Sequence, residues 1–199
     1  MMLIEETTVP DAALPVAEFR AHLRLGTGFG DESLQDGVLN CFLRAAIAAI
    51  EARTGKVLIS REFTWTLTGW RDRAGQVLPV APVRAINEVL LIDEIDRESE
   101  LAHDAFRLEP DSQRPRLRPA GSLLPMIKTG GSVRIAFTAG FAESWGGLPA
   151  DLGQAVMLLA AHYYEHRNET SLSDGSMPFG VSSLIQRYRT MRIGVGVAR

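Results

Sequence analysis

The stretch DESLQDGVLNCFLRAAIAAIEARTG, residues 31–55, predicts the longest helix of the fold. Its apolar residues recur at about 3.6 positions over roughly six turns, at Leu34, Val38, Leu39, Phe42, Leu43, Ala46, Ile47 and Ile50. Asp31 is a suitable N-cap, and Gly55 stands where helices commonly end on a left-handed glycine. Cys41 lies inside this apolar run, which predicts a small buried side chain rather than a reactive thiol.

The pattern changes from helix to strand after residue 60. In EFTWTLTGW (62–70) large apolar residues alternate with threonines, which is typical of a strand with one buried face. Short strand-like segments follow, separated by Pro, Gly and Asp: QVLPV (76–80), INEVLLID (86–93), FRLEP (106–110), RPRLRP (114–119) and SVRIAFTAGF (132–141). The acidic run DEIDRESE (93–100) lacks the spacing of a calcium loop and predicts a solvated hairpin tip.

Helical patterns lie on both sides of these strands. PVAEFRAHLRL (15–25) predicts a short helix, and LPADLGQAVMLLAAHYYEHRNE (148–169) a long one. GTGFG (26–30) follows a helix rather than a strand, so it predicts a linker and not a phosphate loop. Residues 1–14 are predicted to be an extended lead-in.

The fold class predicted from this order is α+β, an antiparallel helical core interrupted by a small, mostly antiparallel β module, with an extended C-terminal tail. The predicted division is 1–59 for the N-terminal helices of the core, 60–140 for the β insertion module, 141–172 for the core helix and 173–199 for the tail.

Composition excludes several functional classes. Of 199 residues, 21 are basic and 24 acidic, and the net charge of −3 argues against a dedicated nucleic-acid binder. One cysteine excludes an intramolecular disulfide framework. We expect no signal peptide and no membrane span, because no basic region precedes an apolar run and nowhere do about 18 apolar residues run together.

The motif His162-Tyr-Tyr-Glu165-His166 matches the H-x-x-E-H pattern of inverted zinc proteases. Histidines four positions apart share a helix face, and Glu165 could polarise a metal-bound water. A third ligand is needed, however, and the carboxylates after His166, Glu169 and Asp174, are at or just past the helix end. Basic and His residues at a helix C-terminus also suit the helix dipole. We therefore predict no metal, no cofactor and no enzymatic activity, and keep a zinc-dependent hydrolase as the alternative.

The C-terminal tail combines arginines with apolar residues. From Gly175 to Arg199 there are four arginines and no acidic residue. This mixture is typical of a docking segment, in which apolar residues are buried and arginines orient the partner. The candidate docking residues are Leu184, Ile185, Arg187, Tyr188, Arg189, Met191, Arg192 and Ile193. A last helix packed on its own domain explains the pattern equally well.

In their order and spacing, these segments resemble the head–tail connector (adaptor) proteins of long-tailed phages and phage-like gene transfer agents. The resemblance covers most of the chain, through VAEFRAHLRL (16–25), residues 34–67, LPVAPVRAINEV (78–89), VRIAFTAGF (133–141), residues 148–169 and PFGVSSLIQRYR (178–189). The helix ending in EARTG and the Tyr164-Glu165-His166-Arg167 terminus of the later helix are its most specific parts.

The resemblance implies a structural role in the neck of a virion assembled in the bacterial cytoplasm. It implies a ring, dodecameric like the portal, between the portal and the tail stopper or tail terminator. The C-terminal segment would dock on the portal, and DNA would pass through the lumen without sequence-specific binding. The resemblance assigns no catalytic residue.

Overall fold

The computed structural model describes residues 1–25, 32–167 and 177–189, without the side chains of residues 32–34. Its helices are α1 (Val16–His22), α2 (Glu32–Thr54), α3 (Ala150–Glu165) and α4 (Phe179–Ile185). α2 packs against α1 and α3, and α4 packs on α3. Their buried residues form one apolar cluster, centred on Phe19, Leu39, Leu43, Ile50, Leu152, Val156, Val181 and Ile185. This cluster is the predicted helical core.

The long helix α2 ends as predicted, but its buried stripe is narrower than predicted. Gly55 has φ 68°, and the Thr54 hydroxyl donates a hydrogen bond to the Ile50 carbonyl at 2.7 Å. Val38 and Cys41 are exposed, so the prediction of a buried Cys41 is wrong. These two residues are three positions apart and share an exposed face of the helix.

A five-stranded antiparallel sheet follows α2. Its strands are β1 (Met2–Glu5), β2 (Arg61–Leu67), β4 (Val83–Ile92), β5 (Glu98–Glu100) and β8 (Ser132–Ala139), in the order β1-β2-β8-β4-β5. In β2 the residues Phe63, Trp65 and Leu67 are buried, as their alternation predicted. β4 and β5 are joined by the tight turn Asp93–Arg97, which confirms the predicted hairpin tip.

A second antiparallel sheet of three strands covers one face of the first. It contains β3 (Gln76–Val77), β6 (Phe106–Glu109) and β7 (Arg116–Pro119), in the order β3-β7-β6. Side chains from both sheets form a second apolar cluster, which includes Trp65, Leu78, Phe106, Leu117, Ile135 and Phe137. The architecture is therefore α+β with antiparallel sheets, as predicted.

The structure refines two expectations about the strands. The lead-in contains β1, which pairs with β2 in the register Met2 to Thr66 and so extends the sheet of the β module. The predicted strand 76–80 is a regular strand only at Gln76–Val77, and beyond it the Leu78 N–H donates a hydrogen bond to the Pro115 carbonyl at 2.9 Å. The division into segments at residues 59, 140 and 172 stays a prediction.

A buried charged cluster joins the helical core to the sheet. Arg61 of β2 donates a hydrogen bond from Nη2 to the Glu51 carboxylate of α2 at 2.6 Å, and its Nε lies 3.1 Å from the Glu5 carboxylate. Burial raises the pKa of Glu51, although the Arg61 guanidinium opposes that shift. The same carboxylate also accepts the Leu58 N–H at 2.7 Å, so it fixes the turn from α2 into the sheet.

Candidate functional site

The first part of the predicted docking tail is packed against the body of the protein. α4 and the 3₁₀ turn Gln186–Tyr188 lie on α3. Val181, Ile185 and Tyr188 point into the helical core at helical spacing, and Ile185 is only 1% exposed. We call residues 179–189 the tail root, because they attach the residues that follow to the core.

A hydrogen bond and an ion pair connect the tail root to Asp151 in the first turn of α3. The Tyr188 hydroxyl donates a hydrogen bond to Asp151 Oδ1 at 2.8 Å, and Arg187 Nη2 lies 2.8 Å from Asp151 Oδ2. The Arg187 guanidinium also stacks over the Tyr188 ring, 4.7 Å from its centroid. Burial raises the pKa of Tyr188, so its hydroxyl keeps the proton that it donates. Asp151 thus holds two residues of the tail root together.

The same tyrosine connects the tail root to the segment that follows the sheet. Its ring meets Phe141 edge to face, with centroids 5.6 Å apart and planes at 83°. The Phe141 N–H donates to the carbonyls of Val57 and Leu58, at 3.0 and 3.1 Å. Tyr188 therefore contacts both α3 and the link between sheet and helices.

The eight predicted docking residues separate into three groups. Ile185 and Tyr188 are buried in their own domain, which is the packing that the alternative interpretation describes. Leu184 is half-buried, while Arg187 and Arg189 are exposed. Met191, Arg192 and Ile193 lie outside the described residues. These contacts do not test docking on a portal, so that assignment stays a prediction.

Sequence reasoning missed two residues of this site. Phe179, at the start of α4, is 88% exposed, the most exposed large apolar side chain of the described residues. Its position off the stripe 181, 185, 188 was the signal that could have found it. Asp151 was missed because its pairing with Arg187 joins segments 36 positions apart and has no local pattern.

The H-x-x-E-H motif lies at the C-terminus of α3. The rings of His162 and His166 are 4.3 Å apart, and His166 Nδ1 lies 3.0 Å from the His162 carbonyl oxygen. His166 is the residue after the helix, and Glu165 is exposed. Arg167 covers the Tyr164 ring at 4.7 Å. In the described parts of the chain no three His, Cys, Asp or Glu side chains are grouped to hold a metal. The zinc hydrolase alternative is therefore not supported.

Solved structures of gene transfer agent (GTA) particles contain chains that match almost all of this one. A chain from the neck of an empty GTA particle, computed with C6 symmetry, is 56% identical with a TM-score of 0.89. A chain from the virion of a native GTA particle is 55% identical with a TM-score of 0.85. A chain from the neck of a native GTA particle, computed with C12 symmetry, is 52% identical with a TM-score of 0.84. Each match covers 98% of this chain and 99% of the other.

The chain belongs to the neck proteins of gene transfer agents. This confirms the resemblance to head–tail connector proteins and the neck as the location of the family. The sixfold and twelvefold symmetries of the related necks support a ring of copies within the particle. No family model matches the chain, and no curated protein does.

The relatives of this neck protein are structural components of a virion. Among residues 1–25, 32–167 and 177–189, no helix is long and apolar enough to cross a membrane.

Proposed function

We propose that this neck protein is a non-enzymatic adaptor subunit. In the proposed arrangement, twelve copies form a ring between the portal and the tail stopper or tail terminator, and DNA passes through the lumen. The observation that carries the proposal is the 56% identity, over 98% of the chain, to a protein in the neck of a GTA particle. The net charge of −3 also suits a lumen through which DNA slides without being held.

The C-terminal segment is the proposed contact with the portal. The tail root supports this, because it fixes the starting point of the following residues on the helical core through Ile185, Tyr188 and Asp151. Arg189, the last described residue, is exposed and leads into Met191, Arg192 and Ile193. Arginines and apolar residues in one segment are what a docking peptide needs for orientation and burial.

The test is removal of residues 190–199, followed by a binding assay with the purified portal. Removing 180–199 would be a poor test, because it deletes core residues of α4 and would unfold the protein. A second variant, Met191→Asp/Ile193→Asp, keeps the length of the chain and removes apolar docking residues. Leu123→Ala, which changes an exposed residue of the β module, is the matched control.

We expect both tail variants to keep the melting temperature of the unaltered protein and to lose portal attachment. The Leu123→Ala control should bind normally. Normal portal binding by both tail variants would contradict the docking assignment and would leave the placement in the neck unaffected.

A further inference from the structure

The five-stranded sheet ends in two exposed edge strands, β1 and β5, which are aligned across the sheet. A closed ring requires two different, complementary surfaces on each subunit, related by rotation alone. One cross-strand row runs through Met2, Thr66, Arg134, Leu90 and Glu100, from edge strand β1 to edge strand β5. Four strand spacings of about 4.8 Å place the edges roughly 19 Å apart. The edges are therefore positioned as the two sides of one repeating contact.

The β1 edge borders a basic cavity with a volume of about 450 Å³, which we call the Trp65 pocket. It lies between the two sheets and is lined by Met1, Trp65, Arg71, Asp72, Gly75, Gln76, Val77, Leu78, Pro79, Arg114 and Arg116. Three arginines and one aspartate give this lining an excess of two positive charges. Among the described residues, the guanidinium groups of Arg71 and Arg114 take part in no ion pair.

The wall of the Trp65 pocket contains a buried, unpaired indole. Trp65 is only 3% exposed, and its buried Nε1–H has no hydrogen-bond partner among the described residues. Buried indole N–H groups are usually paired with a hydrogen-bond acceptor. Next to the pocket, the apolar residues Met1, Met2, Leu3 and Ile4 are exposed along β1.

The opposite edge carries an acidic hairpin, residues 93–100, with five acidic residues and one arginine. Its turn is fixed, because Asp93 Oδ1 accepts the N–H groups of Ile95 at 3.0 Å and Arg97 at 2.9 Å. Glu94 and Glu100 are exposed, and Ile95 at the tip is 60% exposed. The hairpin thus presents an apolar tip surrounded by carboxylates.

We propose that the acidic hairpin of one copy docks in the Trp65 pocket of the next copy, and that this contact closes the ring. The proposal rests on the proposed function, because it assumes that the chain acts in a ring. Carboxylates of the hairpin would pair with Arg71 and Arg114. Ile95 would cover the exposed apolar residues of β1. Opposite charges on the two edges favour head-to-tail contacts and disfavour contacts between like edges.

Two charge-reversal variants test this pairing. The pocket variant is Arg71→Glu/Arg114→Glu, and the hairpin variant is Glu94→Arg/Glu100→Arg. All four positions are exposed, so the variants should fold, which thermal unfolding of each purified protein checks. Arg53→Glu/Arg107→Glu, which reverses two exposed arginines elsewhere, is the matched control. Each variant replaces the native chain in cells that produce the particles, and mass spectrometry measures its copies per purified particle.

We expect about a tenfold or greater loss of copies per particle for the pocket variant and for the hairpin variant. The control should match the unaltered chain. Co-expression of the two variants should restore the copies, because every contact in an alternating ring pairs opposite charges. Such a ring closes without a mismatch when the number of subunits is even, as in the C6 and C12 symmetries of the related necks.

Normal copy numbers for the single variants would overturn the interface, and so would a loss that co-expression does not restore. Absence of the unaltered chain from purified particles would instead overturn the proposed function, and the interface with it. The two failures are therefore distinguishable in one experiment.

Discussion

Replacing Ile185 with alanine tests whether the tail root is part of the core. Ile185 is 1% exposed and packs in the helical cluster with Val181 and Tyr188. The substitution removes three carbon groups at about 0.8 kcal/mol each, and the cavity left behind adds to the loss. We expect a loss of about 3 kcal/mol in the free energy of unfolding. In a chain of this length that lowers the melting temperature by roughly 6–12 °C.

Phe179→Ala is the matched control, since it truncates a large apolar residue on the exposed side of the same helix. Its free energy of unfolding should stay within about 0.5 kcal/mol of the unaltered protein. Urea denaturation followed by circular dichroism measures both variants. A loss below about 0.5 kcal/mol for Ile185→Ala would refute the packed tail root and favour a free docking segment from Leu184 onward.

Three further predictions follow from buried and exposed polar groups. Tyr188→Phe should cost about 1–2 kcal/mol of unfolding free energy, because the hydrogen bond to Asp151 is lost while the ring packing stays; an unchanged urea midpoint would refute that bond. The raised pKa of Glu51 means that the folded state binds this proton more tightly than the unfolded state, so the free energy of unfolding falls as pH rises above 4.5. Glu51→Gln lacks this titration, so the free energy of unfolding of the unaltered protein minus that of the variant should decrease as pH rises. Urea titrations at several pH values measure this difference, and a constant difference would argue against the raised pKa. Cys41 should react with one equivalent of a maleimide in the native protein, whereas reaction only after denaturation would show a buried thiol.

The sequence was sufficient where local pattern and burial agree. The stripe of α2, its end at Gly55 and the alternation of Phe63, Trp65 and Leu67 all predicted the observed elements, because each follows from the period of one helix or strand. The tight turn at Asp93–Arg97 is also local, because the side chain of Asp93 accepts hydrogen bonds from the backbone of the same turn.

The sequence was insufficient where a distant segment decides burial. Cys41 lies in an apolar run but on an exposed face of α2, and only the packing of the helices shows it. β1 is a strand because β2 offers it a partner about 60 positions later in the chain. Likewise, the tail pattern fitted docking and packing equally, and the pairing of Asp151 with Arg187 and Tyr188 favours packing for residues 179–189.

The most direct test of the proposed function is an electron cryomicroscopy reconstruction of purified particles that carry a small protein tag on this chain. We expect extra density in the neck, repeated around the particle axis as a ring between portal and tail. Tagged chain that is found only in the capsid or the tail, or is absent from the particle, would contradict the adaptor function.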